Sequence, residues 1–121
     1  MYLSKLRWLL FLLVVPACIT KVEPDPDIPV VSFQSDIVPI LSANCALADG
    51  CHAAFGGEFP LVTHADAVRY VQPGDPHGSE LYQVIRKYAG EEAMPPKPNA
   101  PLSDQQIGQI YVWILQGATD N

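Results

Sequence analysis

Two cysteines and a histidine lie within eight residues of this sequence, in the segment "NCALADGCHA" (residues 44–53). Cys51 is followed directly by His52, and five residues separate Cys45 from Cys51. A thiol pair that ends in Cys-His is typical of covalent haem attachment, although the usual form is C-x-x-C-H. The alternative is a Cys45–Cys51 disulfide that closes a short surface loop and leaves His52 in solvent. The segment by itself leaves both interpretations open.

Met94 adds a group that suits haem iron. It stands in "AMPP" (residues 93–96), between helical segments, and not in an apolar helical stripe where methionine would ordinarily pack the core. Haem bound by histidine on one side commonly takes methionine on the other in electron-carrying cytochromes. The sequence therefore predicts His52 and Met94 as axial ligands and Cys45 and Cys51 as covalent haem-binding residues. A haem enzyme such as a peroxidase, with Met94 unbound and the sixth position open, is a further alternative.

Other polar residues give weaker signals. We expect His64, at the start of a helix, to be solvated, and His77 to be a turn residue that competes only weakly as an axial ligand. Arg86, Lys87 and Tyr88 are each able to meet a haem propionate, and the sequence does not choose among them. No nucleotide-binding loop, Ser-His-Asp order or catalytic carboxylate pair stands out, and Cys45, Cys51 and His52 are too few for a four-ligand zinc site. Nothing in the sequence indicates an enzyme.

The N-terminus has the pattern of an export signal. Lys5 and Arg7 precede the apolar run "WLLFLLVV", which is much shorter than the roughly 20 residues that span a bilayer. The following "VPAC" resembles a bacterial lipobox, with Cys18 as the lipidated first residue of the mature chain. The alternative is a cleaved, soluble protein with a stray cysteine. Residues 1–17 are thus predicted to be a signal peptide.

Charge and cysteine usage narrow the function further. Removal of Lys5 and Arg7 with the signal leaves five basic against 13 acidic side chains, a formal charge of −8. Such acidity argues against nucleic acid, whose binding requires neutralised phosphates, and favours a partner with a basic docking face. In an exported protein the remaining pair of thiols is expected to be oxidised, metal-bound or joined to haem.

The pattern beyond Cys18 divides into a tether and one domain. Residues 18–31, with "KVEPDPDIPV", are rich in proline and acid and predict an extended tether. Residues 32–121 are predicted to fold as an all-α domain. Four short helices are expected between long Gly- and Pro-rich loops: about Phe33–Ser42, Thr63–Val71, Ser79–Tyr88 and a last helix that is capped by Ser103 and ends at Gly117. Thr63 with Asp66 and Ser103 with Gln106 have the spacing of capping boxes, and Pro39 predicts an irregular first turn. The apolar faces expected from the helical spacing are Phe33, Ile37, Ile40 and Leu41; Leu81, Val84, Ile85 and Tyr88; and Ile107, Ile110, Tyr111 and Ile114. Because such short helices make a poor core by themselves, the domain is expected to wrap around one large apolar cofactor.

From Phe33 to Asn121 the chain resembles a single-haem cytochrome c domain. The resemblance rests on "FQSDIVPILSANC", "GCH", "VQPGDPHGSELYQVI" and "AMPPKPNAPLSDQQIGQIYVWILQGATDN". It implies a cytochrome c fold in which the first and last helices cross beside one haem c. Phe33, Gly108 and Trp113 would lie near that crossing, with Gly108 allowing close approach. The five-residue spacer departs from the family pattern.

Together these features predict an exported electron-transfer protein that is not an enzyme. Its expected place is a bacterial membrane, held by a lipid anchor and facing the periplasm or the cell surface. Ile19, which is not an acidic retention signal, favours the outer membrane. One alternative is a lipoprotein without haem that is cross-linked by a Cys45–Cys51 disulfide and has a binding or structural role. The other is the haem enzyme with an open sixth position.

Overall fold

The computed structural model describes residues 25–47, 51–54, 59–87 and 92–121. The signal peptide and Cys18 lie outside these residues. The regular secondary structure of these residues is entirely helical, apart from one isolated antiparallel bridge between Gln72 and Asp75. This confirms the all-α prediction for this part of the chain. The α-helices are α1 (Val38–Asn44), α2 (His64–Ala67), α3 (Glu80–Ile85) and α4 (Asp104–Leu115), with a π-helical turn Phe33–Ile37 before α1 and a 3-10 turn Val68–Tyr70 after α2. No helix among the described residues is both long and apolar enough to cross a bilayer.

The first helix begins with a wide turn because of Pro39. The backbone N–H groups of Ile37 and Val38 donate to the carbonyls five residues earlier, of Ser32 and Phe33. Proline has no N–H and its ring crowds the carbonyl four residues before it, so a regular α-helical turn is costly there. The chain becomes α-helical at Val38, with Pro39 in the first turn, where a missing N–H does no harm.

Both predicted capping boxes are confirmed. The Thr63 side chain accepts from the Asp66 N–H while the Asp66 carboxylate accepts from the Thr63 N–H, and Ser103 and Gln106 pair in the same way at α4. The hydrogen bonds from Thr63 hold the pKa of Asp66 below its usual range. At the other end of α4, Gly117 has a φ of 101°, the left-handed conformation that stops a helix.

The core lies where α4 packs against the first helix. Trp113 is fully buried, its ring centroid is 5.3 Å from that of Phe33, and its Nε1–H donates to the Thr119 carbonyl at 3.0 Å. Around them most residues of the predicted apolar faces are buried, namely Ile37, Ile40, Leu41, Leu81, Ile85, Ile110 and Ile114, whereas Val84, Ile107 and Tyr111 are half-buried. The sequence thus identified the helices and their inward faces.

Two predictions about this crossing are wrong. His64 is half-buried, not solvated: its ring lies edge-on to Phe33 with centroids 5.0 Å apart, and its Nε2 hydrogen-bonds the Ala118 carbonyl at 2.7 Å. Gly108 is exposed, and a Cβ atom built there would meet nothing within 4 Å. Close helix approach therefore does not require a glycine at position 108.

Candidate functional site

A cavity of about 580 Å³ opens between the end of α1, the start and inner face of α3, and the loop after residue 92. This volume falls within the roughly 300–1,000 Å³ of small-molecule and cofactor sites. All four residues predicted to hold haem line this one cavity: Cys45, Cys51, His52 and Met94. Side chains from two segments that are far apart in sequence therefore meet at the same apolar space.

Cys45 is positioned by the end of α1. Its backbone N–H continues the helical pattern by donating to the Leu41 carbonyl at 2.8 Å, and its thiol side chain is buried. Burial, with a smaller contribution from the neighbouring Cys51 thiol, raises the pKa of Cys45 to about 11. In apolar surroundings this thiol stays protonated at neutral pH.

The loop between the two thiols is closed by the backbone. The His52 N–H donates to the Cys45 carbonyl at 3.0 Å, and the His52 carbonyl accepts from the Leu61 N–H at 2.8 Å. These bonds bring the ends of the five-residue spacer together, while residues 48–50, where the sequence predicts an Asp-Gly turn, lie outside the described residues. Cys51 is half-buried, and both thiols are free rather than joined in a disulfide.

The His52 ring is held by one strong hydrogen bond. Its Nδ1 lies 2.6 Å from the Phe59 carbonyl oxygen. A carbonyl only accepts, so Nδ1 carries the proton and Nε2 keeps its lone pair for a metal. A second group that fixes the tautomer and orientation of a ligating histidine in this way is a general feature of metal sites.

Met94 reaches the cavity from the other segment. Its backbone N–H donates to the Val84 carbonyl at 3.1 Å, which ties the loop to α3, and its side chain is half-buried. The Met94–Pro95 peptide bond is cis, and Pro95 and Pro96 also line the cavity.

The remaining wall is mostly apolar and comes largely from residues to which the sequence assigned no role in the site. Phe59, Leu61, Leu81, Val84 and Ile85 provide its apolar surface, and Asn44, Tyr70 and Glu80 add polar groups. The helical period of α3 marked Leu81 and Ile85 as inward-facing. No local motif marks the polar residues.

The other charged or ring residues considered from the sequence lie elsewhere. His77 packs against Tyr82 and Tyr111 outside this cavity. The guanidinium of Arg86 lies over the Tyr82 ring, 5.8 Å from its centroid, and Lys87 pairs with Glu92 at 2.5 Å, an interaction that lowers the pKa of Glu92. Tyr88 lies outside the described residues. Arg86 and Lys87 do not line the cavity, so the structure does not place either of them where it would contact a group bound in the cavity.

Comparison with protein-family models, with curated protein sequences and with solved structures found no match to this chain. Within the described ranges, no three His, Cys, Asp or Glu side chains converge as ligands for a metal ion. The cavity offers two thiols, an imidazole nitrogen and a thioether beside an apolar wall.

The buried position of Cys45 predicts slow, strongly pH-dependent alkylation in haem-free protein. The thiolate is the nucleophile, and a pKa of about 11 leaves roughly one thiolate in a thousand at pH 8. In Cys51→Ser protein the iodoacetamide rate should rise about tenfold per pH unit from pH 8 to 10. Urea-unfolded protein is the control and should react much faster at pH 8. Equal rates in the folded and unfolded forms would contradict the burial of this thiol.

Proposed function

We propose that this protein is an exported, lipid-anchored, single-haem c-type cytochrome with a cytochrome c fold, which transfers one electron at a time. The observation that carries the proposal is the convergence of Cys45, Cys51, His52 and Met94 on one apolar cavity. The donor set fits haem c: two thiols for the vinyl groups, an imidazole nitrogen for one axial position and a thioether for the other.

Each residue has a distinct part in this proposal. Cys45 and Cys51 would hold the haem as thioethers, each by addition of its sulfur and its thiol proton to one vinyl group. His52 binds iron through Nε2, with its ring held by the Phe59 carbonyl, and Met94 binds through Sδ from the loop tied to Val84. When bound, the haem supplies a one-electron couple at iron.

The protein sets the conditions for that couple. Leu61, Leu81 and Ile85 are buried and give the cavity an apolar wall, which would lower the polarity around a bound haem. Axial ligation covers roughly 0.8 V of haem potential, and methionine lies toward the high end. The carboxylate of Glu80 at the same cavity favours the more positive, oxidised iron and moderates this effect.

An optical spectrum of protein produced together with haem-attachment machinery tests the proposal. We expect the sharp bands of a low-spin haem c. Absence of visible bands would favour the disulfide-stapled lipoprotein, and a high-spin ferric spectrum would favour the open-site haem enzyme. The three outcomes are mutually exclusive.

The anchor is tested by Cys18→Ser. We expect wild type in the membrane pellet and the variant in the soluble exported fraction, because several acyl chains on one residue anchor stably whereas one chain binds only marginally. Cys51→Ala is the control for a lost thiol and should stay in the pellet. Wild-type protein that is soluble and begins at another residue would contradict lipidation. Separation of that pellet by density-gradient centrifugation distinguishes the inner membrane from the outer membrane that we propose. The strongly acidic mature chain is proposed to meet redox partners through a basic docking face on the partner.

A further inference from the structure

The face of α3 that points away from the haem-binding residues borders a second cavity. This open groove of about 600 Å³ lies between α3 and α4. Tyr82 of α3 and Arg86, the residue directly after this helix, line the groove, whereas Leu81 and Ile85 of α3 line the first cavity. One short helix therefore separates the two spaces.

Three rings form an aromatic surface in this groove. The centroids of Tyr82 and Tyr111 are 5.3 Å apart, and His77 lies edge-on to them at 5.6 and 5.8 Å. The tyrosines are half-buried and His77 is exposed, so ring surface stays accessible to a ligand. Accessible rings of this kind pack well against another flat aromatic group.

One charged group of the groove, the Arg86 guanidinium, is able to pair with an anion. The Arg86 guanidinium lies over Tyr82 and has no carboxylate within ion-pair distance among the described residues. The hydroxyls of Tyr82 and Tyr111 have no hydrogen-bond partner in the described part of the chain, and they add two donors. Asp104 is the one carboxylate among the described lining residues. Arginine is well suited to carboxylate and sulfonate groups because its planar fork donates two parallel hydrogen bonds.

Space over α4 is kept open at Gly108. This residue lines the groove, and a Cβ atom built there would meet nothing within 4 Å. A larger side chain at this position would therefore project into the groove without disturbing the helix packing.

We propose that this groove is a binding site for a planar aromatic compound that carries a carboxylate or sulfonate group. The rings of Tyr82, Tyr111 and His77 contact the flat face or edge of the ligand, and Arg86 pairs with its anionic group. This site does not depend on the haem proposed for the first cavity.

Titration of the full exported protein with 2-naphthoate, followed by nuclear magnetic resonance and calorimetry, tests the proposal. We expect saturable one-to-one binding. Cyclohexanecarboxylate, an anion without a flat ring system, and 2-naphthalenemethanol, a flat compound without charge, should each bind more weakly. Equal affinity for all three compounds, or no saturation at millimolar concentration, would overturn the proposal.

Matched variants locate the site. Arg86→Gln should raise the naphthoate Kd about tenfold, as expected for loss of an exposed charged pair with the ligand. Lys97→Gln removes the same charge outside the groove and should change Kd by less than about twofold. Gly108→Leu should abolish binding, and Gln105→Leu, which adds the same side chain elsewhere on α4, should not. Circular dichroism checks that each variant is folded. Binding that survives both Arg86→Gln and Gly108→Leu in folded protein would place the ligand elsewhere and refute the assignment.

Discussion

Met94→Ala is expected to leave the sixth coordination position of the proposed haem iron vacant. If the proposed haem is bound, its ferric spectrum should change toward high spin, and cyanide or carbon monoxide should bind rapidly, because the thioether proposed for the sixth position is gone. A thioether also stabilises ferrous iron, so the potential should fall on the order of a tenth of a volt or more, within the roughly 0.8 V that axial ligation covers. Absorption spectroscopy and a redox titration measure both effects.

Two further variants separate ligation from packing. Met94→His should keep a low-spin spectrum at a markedly lower potential. Val84→Ala removes methyl groups from the same cavity wall while the backbone carbonyl that holds Met94 is kept, so its spectrum should stay low-spin. If the wild type already binds cyanide rapidly and Met94→Ala changes neither the spectrum nor the potential, Met94 is not a ligand and the open-site enzyme becomes the better account.

Trp113→Ala is expected to be the most destabilising substitution outside the cavity. The ring is fully buried against Phe33, and its N–H is bonded to the Thr119 carbonyl. Truncation of a buried tryptophan costs about 3–5 kcal/mol, a large share of the 5–15 kcal/mol that stabilises a small domain. Urea unfolding followed by circular dichroism should show a much lower midpoint.

Trp113→Phe is the matched control for this effect. This variant keeps most of the ring packing but loses the hydrogen bond to the Thr119 carbonyl. We therefore expect the free energy of unfolding to fall by about 1–2 kcal/mol. A loss of less than about 1 kcal/mol in Trp113→Ala would contradict the crossing of the first and last helices as the core of the domain.

The helices were predictable because their signals are local. Thr63 and Ser103 stand three residues before Asp66 and Gln106, and both boxes form. Pro39 signalled an irregular first turn, and a π-helical turn precedes α1. The prediction for His64 is wrong because its burial depends on a contact with a distant part of the chain. Its hydrogen-bond partner is the Ala118 carbonyl, 54 residues away in sequence, and no local pattern reveals it.

The site was only partly predictable. Cys51, His52 and Met94 have distinctive chemistry and neighbours, and they line the same cavity as Cys45. Tyr70 and Glu80 had no such signal, because a tyrosine in a helical turn or an acid at a helix start is common for purely local reasons. The resemblance to cytochrome c domains implied close helix approach at Gly108, and this prediction is wrong because Gly108 borders an open groove.

The most direct test of covalent haem binding is the intact mass of exported protein after acid–acetone extraction. Wild type should retain one haem, because two thioethers survive conditions that remove coordinated haem. Cys45→Ala and Cys51→Ala should each keep one thioether, with the reduced α-band at longer wavelength. Freely extracted haem in the wild type, together with a disulfide-linked Cys45–Cys51 peptide, would contradict the account.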